Sequence, residues 1–318
     1  MHPPDLYTLV YIIAAISLLF AVLMLFFYRA TPNTKGPLHW SLGSFSAVIS
    51  AFLFGAFPLF DGLISIVISS GFTILTVGLY WAGIRAFKGL PVDYKIIAAL
   101  IFAQLLISFF FYSVWPLPNV RMGLFSVMSI LVCLLAISEL IKPIEKPYRV
   151  AFALCTLVFS ISVITSVYRL VTIILTKPEL PIAPTKANLT FYFLLSITQS
   201  LLLFAFVSLI SLRISEQLKK KVESQRKFYS IIAHDLNGPV GMINVMLNMV
   251  NQDEDIDLRE KIKISKEAES LSLSTHHLLQ NLLIWSRNQF EDLEPHASKF
   301  DLDKLIVRNI RSEERRVG

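Results

Sequence analysis

A chain of 318 residues that is 54% hydrophobic and only 16% charged carries more apolar surface than a soluble domain of this size can bury. A membrane protein is therefore the first reading. Residues 1–212 hold 12 Lys/Arg against 6 Asp/Glu, while residues 213–318 hold 17 against 17, so the net charge of +6 sits in membrane-half loops, and a nucleic-acid partner, which would need a basic face on the soluble half, is excluded.

The N-terminus lacks a positively charged region and a small-residue cleavage site, and its first apolar run is long enough to span. It reads as a membrane anchor and not as a cleaved signal peptide. About 20 apolar residues cross a bilayer as a helix. Seven runs meet that length: Leu6–Tyr28, Leu38–Phe57, Leu63–Phe87, Tyr94–Trp115, Val120–Ile141, Tyr148–Leu175 and Leu189–Leu212. Pro and Gly punctuate most of the connections.

Loop charge predicts the orientation. The segments after runs 1, 3 and 5 carry Arg29 and Lys35, then Arg85, Lys88 and Lys95, then Lys142, Lys146 and Arg149. The segments after runs 4 and 6 carry only Arg121, then Lys177 and Lys186. A basic cluster from Arg213 to Lys227 follows run 7. The expected N-terminus is outside, and the second half of the chain is cytoplasmic.

A transporter would call for intramembrane ionisable residues, broken helices or inverted repeats. No repeat is visible, and Arg169 is the one charge well inside a run. Arg169 fits either an anionic ligand or the outer headgroups. Gln104 and Gln199 are the clearest uncharged polar candidates, and Arg169 and Gln199 are the candidate ligand-sensing residues. Tyr80 to Phe87 (YWAGIRAF) closes run 3 with the aromatics and arginine of an interfacial anchor. Cys133 and Cys155 lie in apolar runs, without disulfide or metal-site spacing, and read as packing residues.

Neither Pro nor Gly occurs between Asn188 and Asn237, so run 7 is expected to continue as one helix. From Leu218 a seam alternates four- and three-residue steps: Leu218, Val222, Gln225, Tyr229, Ile232, Leu236, Pro239, Ile243, Met246, Val250. In that register His234 falls at position f, facing away from a helix partner. After the acidic turn 251–257 a second seam follows: Ile264, Ala268, Leu271, Thr275, Leu278, Leu282, Trp285. The two make an antiparallel hairpin whose long apolar stripe calls for a second copy, giving a homodimeric four-helix bundle. The seams alone also allow a purely structural dimeriser. His276 and His277 read as surface residues.

The chemistry-bearing string is Phe228 to Val240, FYSIIAHDLNGPV. A neutral imidazole is a good nucleophile near neutral pH. The adjacent carboxylate, Asp235, can take the Nδ1 proton, fix the tautomer and stabilise developing positive charge while Nε2 attacks phosphorus. Pro239 cannot donate to the carbonyl of Asp235, and Gly238 beside it is flexible, so the helix has a bending point just after His234.

Phe228–Pro239 resembles the dimerisation and histidine-phosphotransfer region of bacterial membrane sensor histidine kinases of two-component systems. Leu278–Arg287 (LLQNLLIWSR) is similar to the usual end of that hairpin, and Phe300–Ile306 (FDLDKLI) to the lead-in to the ATP-binding domain. The resemblance covers about residues 215–310. It implies phosphorylation of His234 with Asp235 as orienting base, and transfer to an aspartate of a response-regulator receiver domain. It also implies ATP and Mg²⁺ held by a separate catalytic domain, and a place in the bacterial inner membrane among its lipids. One position departs from the pattern: four residues after the histidine, where Thr or Asn often positions water for dephosphorylating the partner, stands Gly238. Asn237 projects about 100° away around the helix.

After Gly241 the chain's only glycine is Gly318, so the Gly-rich lid of an ATP-binding domain is not expected in these residues, nor is its Asn-rich helix. The tail 311–318 (RSEERRVG) breaks the apolar pattern abruptly, as foreign endings of truncated gene predictions do. The expected organisation is an all-α chain. A seven-span membrane region covers 1–212, a helical linker 213–227, the phosphotransfer hairpin 228–290, and the start of a missing nucleotide-binding domain 291–318. The alternatives are a non-catalytic receptor phosphorylated in trans and a transporter with a coiled-coil tail.

Overall fold

The computed structural model describes residues 6–32, 34–56, 61–177, 185–252 and 257–290, with residues 302 and 306 as isolated positions. It is all-helical, with no strand among the described residues. The helices are α1 (Leu6–Ala30), α2 (Pro37–Gly55), α3 (Ser69–Phe87), α4 (Tyr94–Phe109), α5 (Pro118–Leu140), α6 (Arg149–Thr176), α7 (Lys186–Gln252) and α8 (Leu258–Phe290). A π-helical stretch, Leu63–Ile68, leads into α3, and another, Phe110–Val114, extends α4. Seven of these elements are long and apolar enough to cross a membrane, and they match the seven runs read from the sequence. The protein is a multi-pass membrane protein. The side chains of Ile231 and residues 285–290 lie outside the described residues. So do the acidic turn at 253–256, the Phe300–Ile306 lead-in apart from Leu302 and Ile306, and the tail 311–318.

Local chemistry accounts for the helix ends. Pro37 and Pro118 sit in the first turn of α2 and α5, where a missing N–H costs nothing. The Asp93 side chain caps α4 by accepting from the Lys95 backbone N–H at 3.0 Å. Lys177 ends α6 in the left-handed conformation, φ 44°.

The chain divides into two units, Met1–Lys220 and Lys221–Gly318. In the first, the hydrophobic effect does not drive helices together within lipid, so close packing and hydrogen bonds must do so. Serines on α2 supply both. Ser41 donates to the Ala21 carbonyl on α1 at 2.8 Å; Ser46 and Ser50 donate to the Phe72 and Ser69 carbonyls on α3, each at 2.8 Å.

The closest approach is at Trp40, which is fully buried. A Cβ at Gly83 would lie 2.2 Å from its Nε1, so the indole fits only because residue 83 has no side chain. Nε1 donates to the Tyr80 carbonyl at 3.2 Å, and the ring stacks on Phe206 of α7, with centroids 4.2 Å apart and planes at 7°. Phe20, Tyr80, Phe87 and Phe159 surround this stack.

Tyr80, Trp81 and Phe87, expected as an interfacial anchor, are instead turned into the bundle. The glycine between them explains the difference, because it opens the face on which Trp40 lands. At the end of α3, Arg85 pairs with Glu139 of α5. Lys142 reaches the other oxygen of that carboxylate at 2.8 Å, and Lys88 donates to the Glu139 carbonyl. Burial, opposed by Glu139, holds the Lys88 ammonium below the ordinary lysine value.

In the second unit the earlier expected seam positions Val222, Gln225 and Tyr229 are exposed, and Phe228 is buried instead; from Ile232 onward the less exposed positions follow the two heptad series. On α7 they include Ile232, Leu236, Pro239, Ile243, Met246 and Val250; on α8 they include Ile264, Ala268, Leu271, Thr275, Leu278 and Leu282. Most positions between them are exposed.

The seat of Trp40 carries a prediction. Gly83→Val should force the indole off α3 and destabilise the membrane unit by about 1–3 kcal/mol. Thermal unfolding of the purified protein in detergent should register this as a lower midpoint.

Candidate functional site

The residues with the strongest chemical pattern lie on the second-unit part of α7. Ile232 and Leu236, half-buried on the seam, fix the rotation of the helix. At 3.6 residues per turn that rotation turns His234 outward, and its side chain is 89% exposed. Asp235 is 46% exposed, and its Oδ1 lies 2.9 Å from His234 Nδ1. In the tautomer that this bond selects, Nδ1–H donates to the carboxylate and Nε2 keeps its lone pair. The result is an oriented imidazole on a helix, with the nucleophilic nitrogen open to solvent. A bulky electrophile meets no steric barrier there, and Asp235 balances positive charge that develops on the ring.

The bending point has its own geometry. A Cβ added at Gly238 or Gly241 would meet no atom within 4 Å, so no close approach explains either glycine. What they change is the backbone: each lowers helix stability where α7 is largely exposed. α7 nonetheless runs on through Pro239 to Gln252. His276 and His277 are exposed, and the Nε2 of His276 sits 3.1 Å from the Gln280 amide nitrogen. Among the described residues no three His, Cys, Asp or Glu gather into a metal site.

The candidate sensing residues lie in the first unit. Arg169 on α6 is 6% exposed. It lies over the rings of Phe191 at 4.2 Å, Tyr192 at 5.7 Å and Phe125 at 5.8 Å, facing the bundle interior instead of reaching for headgroups. Gln199 on α7 donates to the Tyr80 hydroxyl at 3.0 Å and to Ser17 at 3.3 Å, tying α7 to α3 and α1. Gln104 is fully buried and donates to Ser108 at 2.7 Å.

Sequence reading counted Arg121 with the segment between runs 4 and 5, although it stands at the start of run 5, and missed its burial. Pro118 starts α5 three residues earlier, so Arg121 belongs to the first turn, where it is 6% exposed and stands over the Tyr112 ring. Proline in the preceding segment, Trp115-Pro116-Leu117-Pro118, was the available signal.

No family model matches the chain, and no curated protein or solved structure matches it.

Gly238→Ala should stabilise α7, since an open position gains helix propensity without a clash. The expected gain is about 1 kcal/mol, seen as a higher unfolding midpoint by circular dichroism.

Proposed function

We propose that the protein is a membrane sensor histidine kinase of a two-component system, with His234 as the residue that accepts the phosphoryl group. The observation that carries this reading is the exposed His234 held by Asp235 through Nδ1, within the FYSIIAHDLNGPV string. Nε2 forms the P–N bond as the bond from the ATP γ-phosphorus to its bridging oxygen breaks and ADP leaves, with the Nδ1–H held against Asp235; the receiver-domain aspartate of a response regulator then takes the group as the P–N bond breaks, returning His234 to neutral imidazole. On this reading ATP and Mg²⁺ would be held by a nucleotide-binding domain, and the γ-phosphate of ATP would be the group transferred. Loop charge supports a cytoplasmic His234 and an outer N-terminus, in a bacterial inner membrane.

The second unit supports a dimer. Its two half-buried stripes suit an antiparallel hairpin. Outside them Val240 and Leu247 on α7, and Ile262, Leu273, Leu279 and Leu283 on α8, remain exposed in a single chain. Apolar surface of that extent is stabilised when two hairpins close into a four-helix bundle. A dimeriser without its own catalytic domain, phosphorylated in trans, is the second reading.

Membrane vesicles carrying the whole open reading frame should incorporate label from γ-labelled ATP as an acid-labile, base-stable phosphoramidate, and His234→Gln should remove it completely. Label that survives in His234→Gln rejects the assignment. Label that appears only after a separate kinase is added supports the second reading.

Signal transfer along α7 gives a further expectation. Inserting one, two or three residues near Ser215 turns the downstream helix by about 100° each. Phosphorylation should therefore vary with helical phase, and output indifferent to phase would reject transmission by α7.

A further inference from the structure

The membrane unit encloses a cavity of about 230 Å³, with side chains from all seven of its membrane helices in the wall. At ~30 Å³ per water molecule that space suits a ligand of roughly eight heavy atoms. The wall contains both Arg121 and Arg169. Neither forms an ion pair among the described residues, and the Nε of Arg169 is buried without a hydrogen-bond partner. The other described carboxylates of this unit are engaged or distant. Glu139 is held by Arg85 and Lys142, Asp93 caps α4, Glu216 pairs with Lys219 at 3.3 Å, and Asp61 accepts from the Tyr112 hydroxyl at 3.4 Å. Glu145 follows the opposite end of α5 from Arg121.

A guanidinium carries five N–H donors and no acceptor. The rings of Phe191, Tyr192 and Phe125 attract the positive charge of Arg169 but do not replace an anion. Arg169 also hydrogen-bonds the Tyr192 side chain, and the other hydroxyls in the wall do not supply a counter-charge either. Ser162, Thr165 and Thr198 donate to their own helix carbonyls, and a hydroxyl is neutral. Two buried cations with no counter-charge among the described residues, beside an open volume, form a site that lacks its ligand's charge.

We infer that this intramembrane cavity binds a small organic anion, whose carboxylate or phosphate is gripped by Arg121 and Arg169 and whose apolar body lies against Phe125 and Phe159. The planar guanidinium fork matches both headgroups. The anion enters either as a free small acid or as the headgroup of an anionic lipid. As a binding site it stands on the membrane unit alone. Only its role as the stimulus for His234 rests on the kinase reading, and binding without any effect on phosphorylation would separate the two.

The test uses the full chain in a neutral detergent at constant ionic strength. Cys133 and Cys155 are buried thiols, so a thiol-reactive dye reports unfolding. Hexanoate or inorganic phosphate should raise the midpoint saturably, while hexanol, of the same shape and uncharged, should not. Arg169→Met should abolish the shift, and Arg121→Met should weaken the apparent affinity at least about tenfold. If Arg169→Met does not fold, Arg169→Lys decides, because it keeps the charge, loses the fork and should also weaken binding about tenfold. A shift found only in nanodiscs of phosphatidylglycerol, and absent in phosphatidylcholine, assigns the anion to a lipid headgroup. Equal stabilisation by hexanol, a shift retained in the arginine variants, or no response to any of these anions overturns the inference.

Discussion

The membrane unit depends on one contact, the indole of Trp40 lying in the space left by Gly83. Because residue 83 has no Cβ, the indole of α2 seats on α3; further along α2, Gly43 lies where a Cβ would come within 3.0 Å of the Thr76 carbonyl, and beyond it Ser46 and Ser50 reach carbonyls of α3. The face of Trp40 is then free to stack on Phe206, which brings α7 into the same aromatic cluster. In lipid, where apolar side chains lose nothing by facing the solvent, this combination of small residues, short hydrogen bonds and flat ring contacts replaces the hydrophobic effect as the organising force. It also explains why the polar groups of the unit point inward. Tyr80 occupies the centre of that arrangement, where Ser44 lies 3.0 Å from its hydroxyl and Gln199 donates to it.

Much of this was legible in the sequence, but unequally. The seven spans were clear because an unbroken apolar run of about twenty residues matches the thickness of a bilayer and outruns most helices of a soluble core. The seam in the second unit was clear because alternating steps of four and three identify one face of a helix, and burial from Ile232 to Leu282 follows it closely. The exposure of His234 came from the same register. What the sequence hid was which face of a membrane helix looks inward. In lipid both faces are apolar, so periodicity fades and an aromatic run such as Tyr80 to Phe87 reads equally well as an anchor or as core. Arg121 was hidden for a related reason. A charge next to prolines at the edge of a span looks like a loop residue until the helix start is fixed.

The two candidate sites differ in how charge is handled. At His234 the carboxylate is supplied by the next residue, and both groups are hydrated, so the pair costs little and is free to change its protonation and its partner. At Arg169 the cation is buried among rings, and no described carboxylate pairs with it. The first arrangement suits a group that must react and be handed on. The second suits a fixed charge that waits for a counter-ion.

α7 belongs to both sites. Phe191, Tyr192 and Gln199, in its first turns, line the cavity; His234 sits some forty residues further on in the same helix. Gln199 holds α7 to α3 and α1 through two hydrogen bonds, to Tyr80 and Ser17, which an occupant of the cavity can compete for or reinforce. A ligand shifts an equilibrium only by as much as it prefers one state over the other. On the proposed reading that preference has a structural source: an anion neutralising Arg169 changes how strongly its cation is drawn to the rings of Phe191 and Tyr192, which are themselves residues of α7. The energy that binding makes available therefore acts on the helix that carries His234, the phosphoacceptor of the proposed reading.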